Sequence, residues 1–159
     1  MLPTLFTIQR ALPGRLSTMA HPRGGDWLAD EMGGLSRAGV DVLVSLLTEA
    51  EEHELHLDDE QRLARAAGLS FRRLPTADLS VPARVATLAL ASELLADLAE
   101  GREVAVHCRT GIGRASTLAA TILVLEGVTA DDAWQRITAA RGLRVPDTQE
   151  QVDFVHTVA

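Results

Sequence analysis

The stretch EVAVHCRTGIGRASTLAATILVLEG, residues 103–127, decides how the chain folds. EVAVHC (103–108) is a short apolar run without polar alternation, the pattern of a strand buried on both faces. RASTLAATILVLEG (114–127) is apolar on nearly every side and closed by a glycine, which predicts an almost wholly buried helix. Between them lies a glycine-rich loop that carries the only cysteine of the chain. Strand, loop and helix in that order are a unit of an open α/β sheet, where ligands bind at the carboxyl ends of the strands.

The flanking sequence extends this unit. VDVLVSLL (40–47) is a second doubly buried strand and LSFRRL (69–74) a third. LFTIQRALPGRLSTMA (5–20) reads as two short strands around a Pro-Gly turn. DWLADEMGGLSRAG (26–39) predicts a helix ended by Gly39. Thr48 and Glu51 form a capping box that opens an acidic helical stretch, continued over 58–67. VPARVATLALASELLADLAEG (81–101) predicts a long helix, with Pro82 near its start and Gly101 beyond its end. Two more helices are expected, from Thr129 to about Arg141 and from about Thr148 onward. Strands alternating with helices predict an α/β fold, a central mostly parallel sheet of about four to five strands flanked by helices. The whole of 1–159 is expected to form a single domain.

Composition narrows the function. Hydrophobic residues make up 47% and charged residues 23%, which is globular composition. No apolar run reaches the roughly 18 residues of a membrane span. The opening MLPTLFTIQRALPGRL lacks the basic lead and clean apolar stretch of a signal peptide. A lone cysteine closes no internal disulfide, which fits a reducing cytoplasm. The net charge of -7 disfavours a nucleic-acid or anionic-membrane surface, so any anion site is a local pocket. All fifteen basic residues are arginine, and tyrosine is absent.

The loop itself is built for an anion. A helix N-terminus presents free N–H groups and a positive dipole end. Gly111 and Gly113 let the backbone curl so that successive N–H groups converge, and Arg114 can grip two oxygens of a phosphate at once. The same donors stabilise a Cys108 thiolate well below the pH of about 8.5 at which a free cysteine ionises. A thiolate under a bound phosphate is a nucleophile. His107 is expected to be a buried structural histidine bonded to the loop backbone. No Lys-Ser or Lys-Thr pair is present, which excludes a Walker-type nucleotide loop.

Cys108 and Arg114 are separated by five residues, giving H-C-x5-R. This loop resembles the signature of the cysteine-based protein tyrosine and dual-specificity phosphatases; the rhodanese-type loop is one residue shorter. The resemblance implies that Cys108 attacks phosphorus while Arg114 and the loop residues His107, Arg109, Thr110, Gly111, Ile112 and Gly113 hold the phosphate. RLPTADLSVPA (73–83) resembles the acid loop of the small dual-specificity, cell-cycle and kinase-associated members, with Asp78 as general acid and then base. ARGLRVPDTQEQVDFV (140–155) resembles their C-terminal segment, where Gln151 would place the hydrolytic water. PRGGDWL (22–28) occupies the position of a pocket wall, with Arg23 or Asp26 touching substrate and Trp27 packed in the core or the wall.

One residue departs from the pattern. Members of the family usually carry Ser or Thr directly after the loop arginine, and its hydroxyl helps the sulfur leave. Here Ala115 stands there, and Ser116 points about 100° away on the helix.

The implied function is a cytoplasmic hydrolase with no cofactor and no metal, acting on phosphotyrosine and also phosphoserine or phosphothreonine through a phosphocysteine. The alternatives are a phosphatase for a small phosphorylated metabolite, an inositol phosphate or an RNA 5′ end, and a phosphate-binding pseudophosphatase. The expected partner is a phosphorylated protein or small phosphorylated substrate, with no nucleic acid and no membrane; the sequence does not set the oligomeric state. Arg109 either attracts a second acidic group of the substrate or pairs with a neighbouring carboxylate. EAEEHELHLDDE (49–60) lacks metal-ligand spacing and reads as a solvated helical face.

Overall fold

Two of the apolar runs lie at the centre of a five-stranded sheet in the computed structural model, which describes residues 3–11 and 13–159. The strands are β1 (Phe6–Thr7), β2 (Arg15–Met19), β3 (Val42–Ser45), β4 (Ser70–Arg73) and β5 (Glu103–His107), in spatial order β1-β2-β5-β3-β4. β1 runs antiparallel to β2, and every other pairing is parallel. The expected mixed, mostly parallel sheet is therefore present. Leu12, inside the expected first hairpin, and the opening Met1 and Leu2 lie outside the described residues.

All four residues of β3 and all but the first of β5 are buried, because helices cover both faces of the sheet. The helices are α1 (Leu28–Arg37), α2 (Glu49–Glu54), α3 (Glu60–Ala66), α4 (Arg84–Ala99), α5 (Arg114–Leu125), α6 (Ala130–Arg141) and α7 (Gln149–Val158). α5 is packed against α4, α6, α7 and the sheet, which is why its apolar residues need no polar face. On the opposite face α1 and α3 enclose a second core of Leu28, Met32, Leu35, Leu43, Leu57 and Phe71. Among the described residues no helix is long and apolar enough to cross a membrane.

The register brings the functional ends together. Met19 of β2 and Ser45 of β3 both pair with His107, the last residue of β5. Beyond Ser45 the chain leaves the sheet through Leu46–Thr48, so the second strand is shorter than the apolar run 40–47. α2 begins there, with the Thr48–Glu51 capping box formed as expected. The acidic stretch 49–60 corrects its sequence reading. It holds α2 and the first residue of α3, and although most of it faces solvent, Glu51, Glu52 and Glu60 are buried, because each meets a basic side chain. Two residues of the 22–28 segment also differ from expectation. Trp27 is 56% exposed. Arg23 is tied to Glu31 at 3.0 Å and lies over the Trp27 ring, away from the loop cavity described next.

Candidate active site

β5 delivers Cys108 to the carboxyl edge of the sheet, and the chain turns at once into α5. Gly111 makes the turn, with φ +76, and a side chain there would strike the Met19 carbonyl at 2.7 Å. Gly113 has ordinary dihedrals; its lack of a side chain leaves room for the Asp147 carboxylate, which lies against its Cα. The two glycines thus have different reasons, one conformational and one steric.

The loop encloses a cavity of about 200 Å³ lined by Asp78, Leu79, Cys108, Arg109, Thr110, Ile112, Arg114 and Asp147. Cys108 is 2% exposed at its base, and Arg114 is 1% exposed. A buried guanidinium needs partners, and Arg114 has three. Nη1 donates to Glu51 Oε1 at 2.7 Å and to the Thr76 carbonyl at 2.8 Å; Nη2 donates to Glu51 Oε2 at 2.9 Å. Asp78 Oδ1 lies 3.2 Å from Nη2. Arg114 therefore joins α2, the Thr76–Asp78 loop and the cysteine loop. Burial alone would raise the Glu51 carboxyl, but hydrogen bonds from Arg114 and the Thr48 N–H, with the Arg114 charge, hold it down at about 2.

Asp78 sits on the loop between β4 and α4, half-exposed, and accepts the Leu79 N–H at 3.0 Å. Leu79, which lines the cavity beside Asp78, has φ +63, an uncommon conformation for a branched residue. Asp147 enters from the other side. Burial, then the Asp78 charge, push its carboxyl up, and Arg114 only partly offsets them. Gln151 is fully buried between these loops. Its Oε1 accepts from the Asp147 and Thr148 N–H groups at 3.0 and 3.2 Å, and Nε2 donates to the Ser80 carbonyl at 3.3 Å. It is a clamp between the C-terminal segment and the loop that carries Asp78.

The remaining loop residues fall into place around the cavity. His107 is buried, with Nδ1 3.2 Å from the Cys108 carbonyl and Nε2 2.6 Å from Glu60. Arg109 pairs with neighbouring carboxylates, Glu54 at 3.1 Å and Glu51 at 3.4 Å. Arg141 on α6 donates to the Thr110 carbonyl at 3.3 Å. Ala115 is completely buried, and the Ser116 Oγ is buried with no hydrogen-bond partner, so it does not reach the Cys108 sulfur. Glu51, Glu60 and Asp147 were not singled out by sequence as site residues. Only Glu51 carried a signal, its capping box, which fixed it at the start of a helix but not its far-side partner.

The fold matches kinase associated phosphatase, in a form whose catalytic-site cysteine is replaced by serine, with TM-score 0.87, 17% identity and 98% and 93% of the two chains covered. It matches the active form of Tk-PTP with TM-score 0.82, 23% identity and 99% and 97% coverage. It matches PTPMT1 in complex with PI(5)P with TM-score 0.74, 19% identity and 90% and 88% coverage. Among curated proteins none matches the chain. The family described as polymorphic toxin system, DSP-PTPase phosphatase, matches residues 17–128, most of the chain, from within β2 through β3, β4 and β5 to the cysteine loop and α5. The chain belongs to this family of DSP-PTPase phosphatases.

Proposed function

We propose that this phosphatase is a cysteine-dependent hydrolase of phosphotyrosine, and also of phosphoserine or phosphothreonine, working through a phosphocysteine. One observation carries the reading: Arg114, buried and gripped by both oxygens of Glu51, stands in the same small cavity as Cys108, with Asp78 3.2 Å away. The Cys108 thiolate attacks phosphorus, the P–O bond to the leaving group breaks, and Asp78 gives that oxygen its proton. The loop N–H groups and the Arg114 fork hold the equatorial oxygens as charge develops on them. Water then attacks the phosphocysteine, the S–P bond breaks, and Asp78 takes the proton of the water. Gln151, through its bonds to the 147–148 backbone and Ser80, keeps the walls of this pocket in place. All the groups the two steps need are side chains and backbone of this chain, so no metal is invoked.

The charge around the cavity favours a singly phosphorylated substrate over a polyanion. Asp78 and Asp147 line the rim, and the two arginines there, Arg109 and Arg114, are already paired with carboxylates. The test is hydrolysis of p-nitrophenyl phosphate and a phosphotyrosine peptide in the presence of a chelator. Turnover blocked by vanadate, lost in Cys108→Ser, and with phosphate trapped on the protein by acid quench is the expected result. A wild-type protein that binds the peptide without turning it over would instead be a pseudophosphatase.

A further inference from the structure

A loop that binds an anion on backbone N–H groups must hold its carbonyls on the other side, because the two point opposite ways in a trans peptide. Two carbonyls of the cysteine loop are so held. The Arg109 carbonyl accepts the His21 N–H at 3.2 Å. The Thr110 carbonyl accepts from Arg141 Nη2 at 3.3 Å. His21 and Arg141 line a separate cavity of about 350 Å³, with Phe6, Met19 and Leu35, and neither lines the Cys108 cavity. The N–H groups of Thr110 and Gly111 are therefore turned away from Arg141 and toward the cavity of Cys108 and Arg114.

The two supports differ in kind. The Arg109 carbonyl is held by main chain, the Thr110 carbonyl by one side chain. The residue after Thr110 is a glycine, which leaves the peptide between them free to rotate unless something fixes it. Arg141 is the last residue of α6, and its guanidinium lies over the Phe6 ring of β1, 4.2 Å from the centroid. A cation at this end of α6 favours the helix dipole, but that effect asks only for charge. The stacking on Phe6 and the bond to Thr110 fix a direction. Arg141 Nε is buried without a hydrogen-bond partner, and the carboxylate in the same cavity, Glu31, is paired with Arg23 at 3.0 Å. The bond to Thr110 is the one side-chain hydrogen bond that Arg141 makes among the described residues.

We propose that Arg141, aimed by Phe6, is a positioning residue for the anion-binding backbone: it keeps the Thr110–Gly111 peptide turned so that the Gly111 N–H meets the bound phosphate. Only the identity of the anion is taken from the phosphatase reading.

The test is the affinity for orthovanadate, measured by titration calorimetry, beside kcat/KM on p-nitrophenyl phosphate. Arg141→Met should weaken vanadate binding by about ten- to thirtyfold and lower kcat/KM by a similar factor. Arg141→Lys keeps the charge and one donor but not the flat face, and Phe6→Leu removes the ring beneath it; each should cost about two- to fivefold. Arg144→Met removes the same charge three residues further on, from an exposed side chain, and should leave both quantities unchanged. Equal effects at 141 and 144, or an Arg141→Met that lowers Tm alone, overturn the proposal. Thr110–Gly111 is the only Thr-Gly pair in the chain, so carbon-13 threonine with nitrogen-15 glycine isolates the Gly111 amide in NMR spectra. Its proton should move downfield when vanadate binds the wild type and should stay in place in Arg141→Met. A Gly111 amide that ignores vanadate in the wild type overturns the proposal whatever the variants do. Vanadate binding needs no turnover. A protein that shows these shifts yet hydrolyses no phosphoester would sink the hydrolase reading and leave this one standing.

Discussion

Two carboxylates from neighbouring short helices flank Cys108, and they hold different cations. Glu51 on α2 grips Arg114 on the cavity side; Glu60 on α3 grips His107 behind the loop. The guanidinium stays charged at any pH the fold survives, so the first pair is a fixed anchor. The imidazole can lose its proton, so the second pair is conditional. The same residue type thus gives a rigid clamp on one side and a titratable support on the other, and the partner decides which.

Breaking the front pair should have the larger effect on rate. Arg114→Lys keeps a charge but loses the fork that meets Glu51 on one side and phosphate on the other. Steady-state kinetics on p-nitrophenyl phosphate should show kcat lower by about 10²- to 10³-fold. Glu51→Gln leaves Arg114 in place but removes the charge that orients it, and a loss of about 10- to 100-fold in kcat/KM is expected, with weaker vanadate inhibition. Equal losses in the two variants would mean that Glu51 is not merely an orienting group.

The pairs also separate by pH. The Glu51 carboxyl is held at about 2 against an ordinary value of 4.5, so its stabilisation is present above 4.5 and is lost as pH falls toward 2. The His107 pKa is raised above 6.5, so its stabilisation is complete below 6.5 and is lost as pH rises through the raised value. Tm measured across pH should therefore fall at both ends. Glu51→Gln should flatten the acid limb alone. Glu60→Gln should do more than flatten the alkaline limb: a buried histidine without its carboxylate has a lowered pKa, so the loss should move to the acid side of about 6.5. An unchanged alkaline limb in Glu60→Gln would show that His107 is not the group titrating there.

The contrast between the pairs also marks what the sequence made legible. The sheet was readable because doubly buried strands such as VLVS announce themselves by composition, and the cysteine loop because its residue types and spacing are local. Arg114 and Asp78 were readable through the resemblance, and the structure brings them within 3.2 Å of each other. Glu51 and Glu60 were not, because each meets its cation across 63 and 47 residues of chain. An acidic helix with buried anchors looks in sequence like an acidic helix in water. Gln151 gave a mixed result: its position in the chain pointed to this site, while its engagement with the 147–148 backbone and Ser80 depended on how three loops meet. Arg23, read from its place in the chain alone, is held on Glu31 and Trp27 instead.

The smallest expected effect concerns neither pair but the residue between them and the helix. Cys108 follows His107, which is paired with Glu60, and shares its cavity with Arg114, clamped by Glu51, yet Ala115 offers the sulfur no hydroxyl as the proposed phosphocysteine breaks. Ser116 does not supply one, since its buried Oγ has no partner within reach. Capture of phosphate should then outrun release, and stopped-flow traces should show a burst of p-nitrophenolate followed by a slower steady rate. Ala115→Ser adds one oxygen in the first turn of α5, where the resemblance places the hydroxyl. It should raise the steady rate by about three- to tenfold, the worth of one hydrogen bond, and shrink the burst. Ala115 is completely buried, so the added atom also has to be accommodated, and Tm should fall slightly. A linear trace in the wild type, with turnover unchanged in Ala115→Ser, would mean that the two charged pairs already carry the sulfur through the second step and that the missing hydroxyl has no cost.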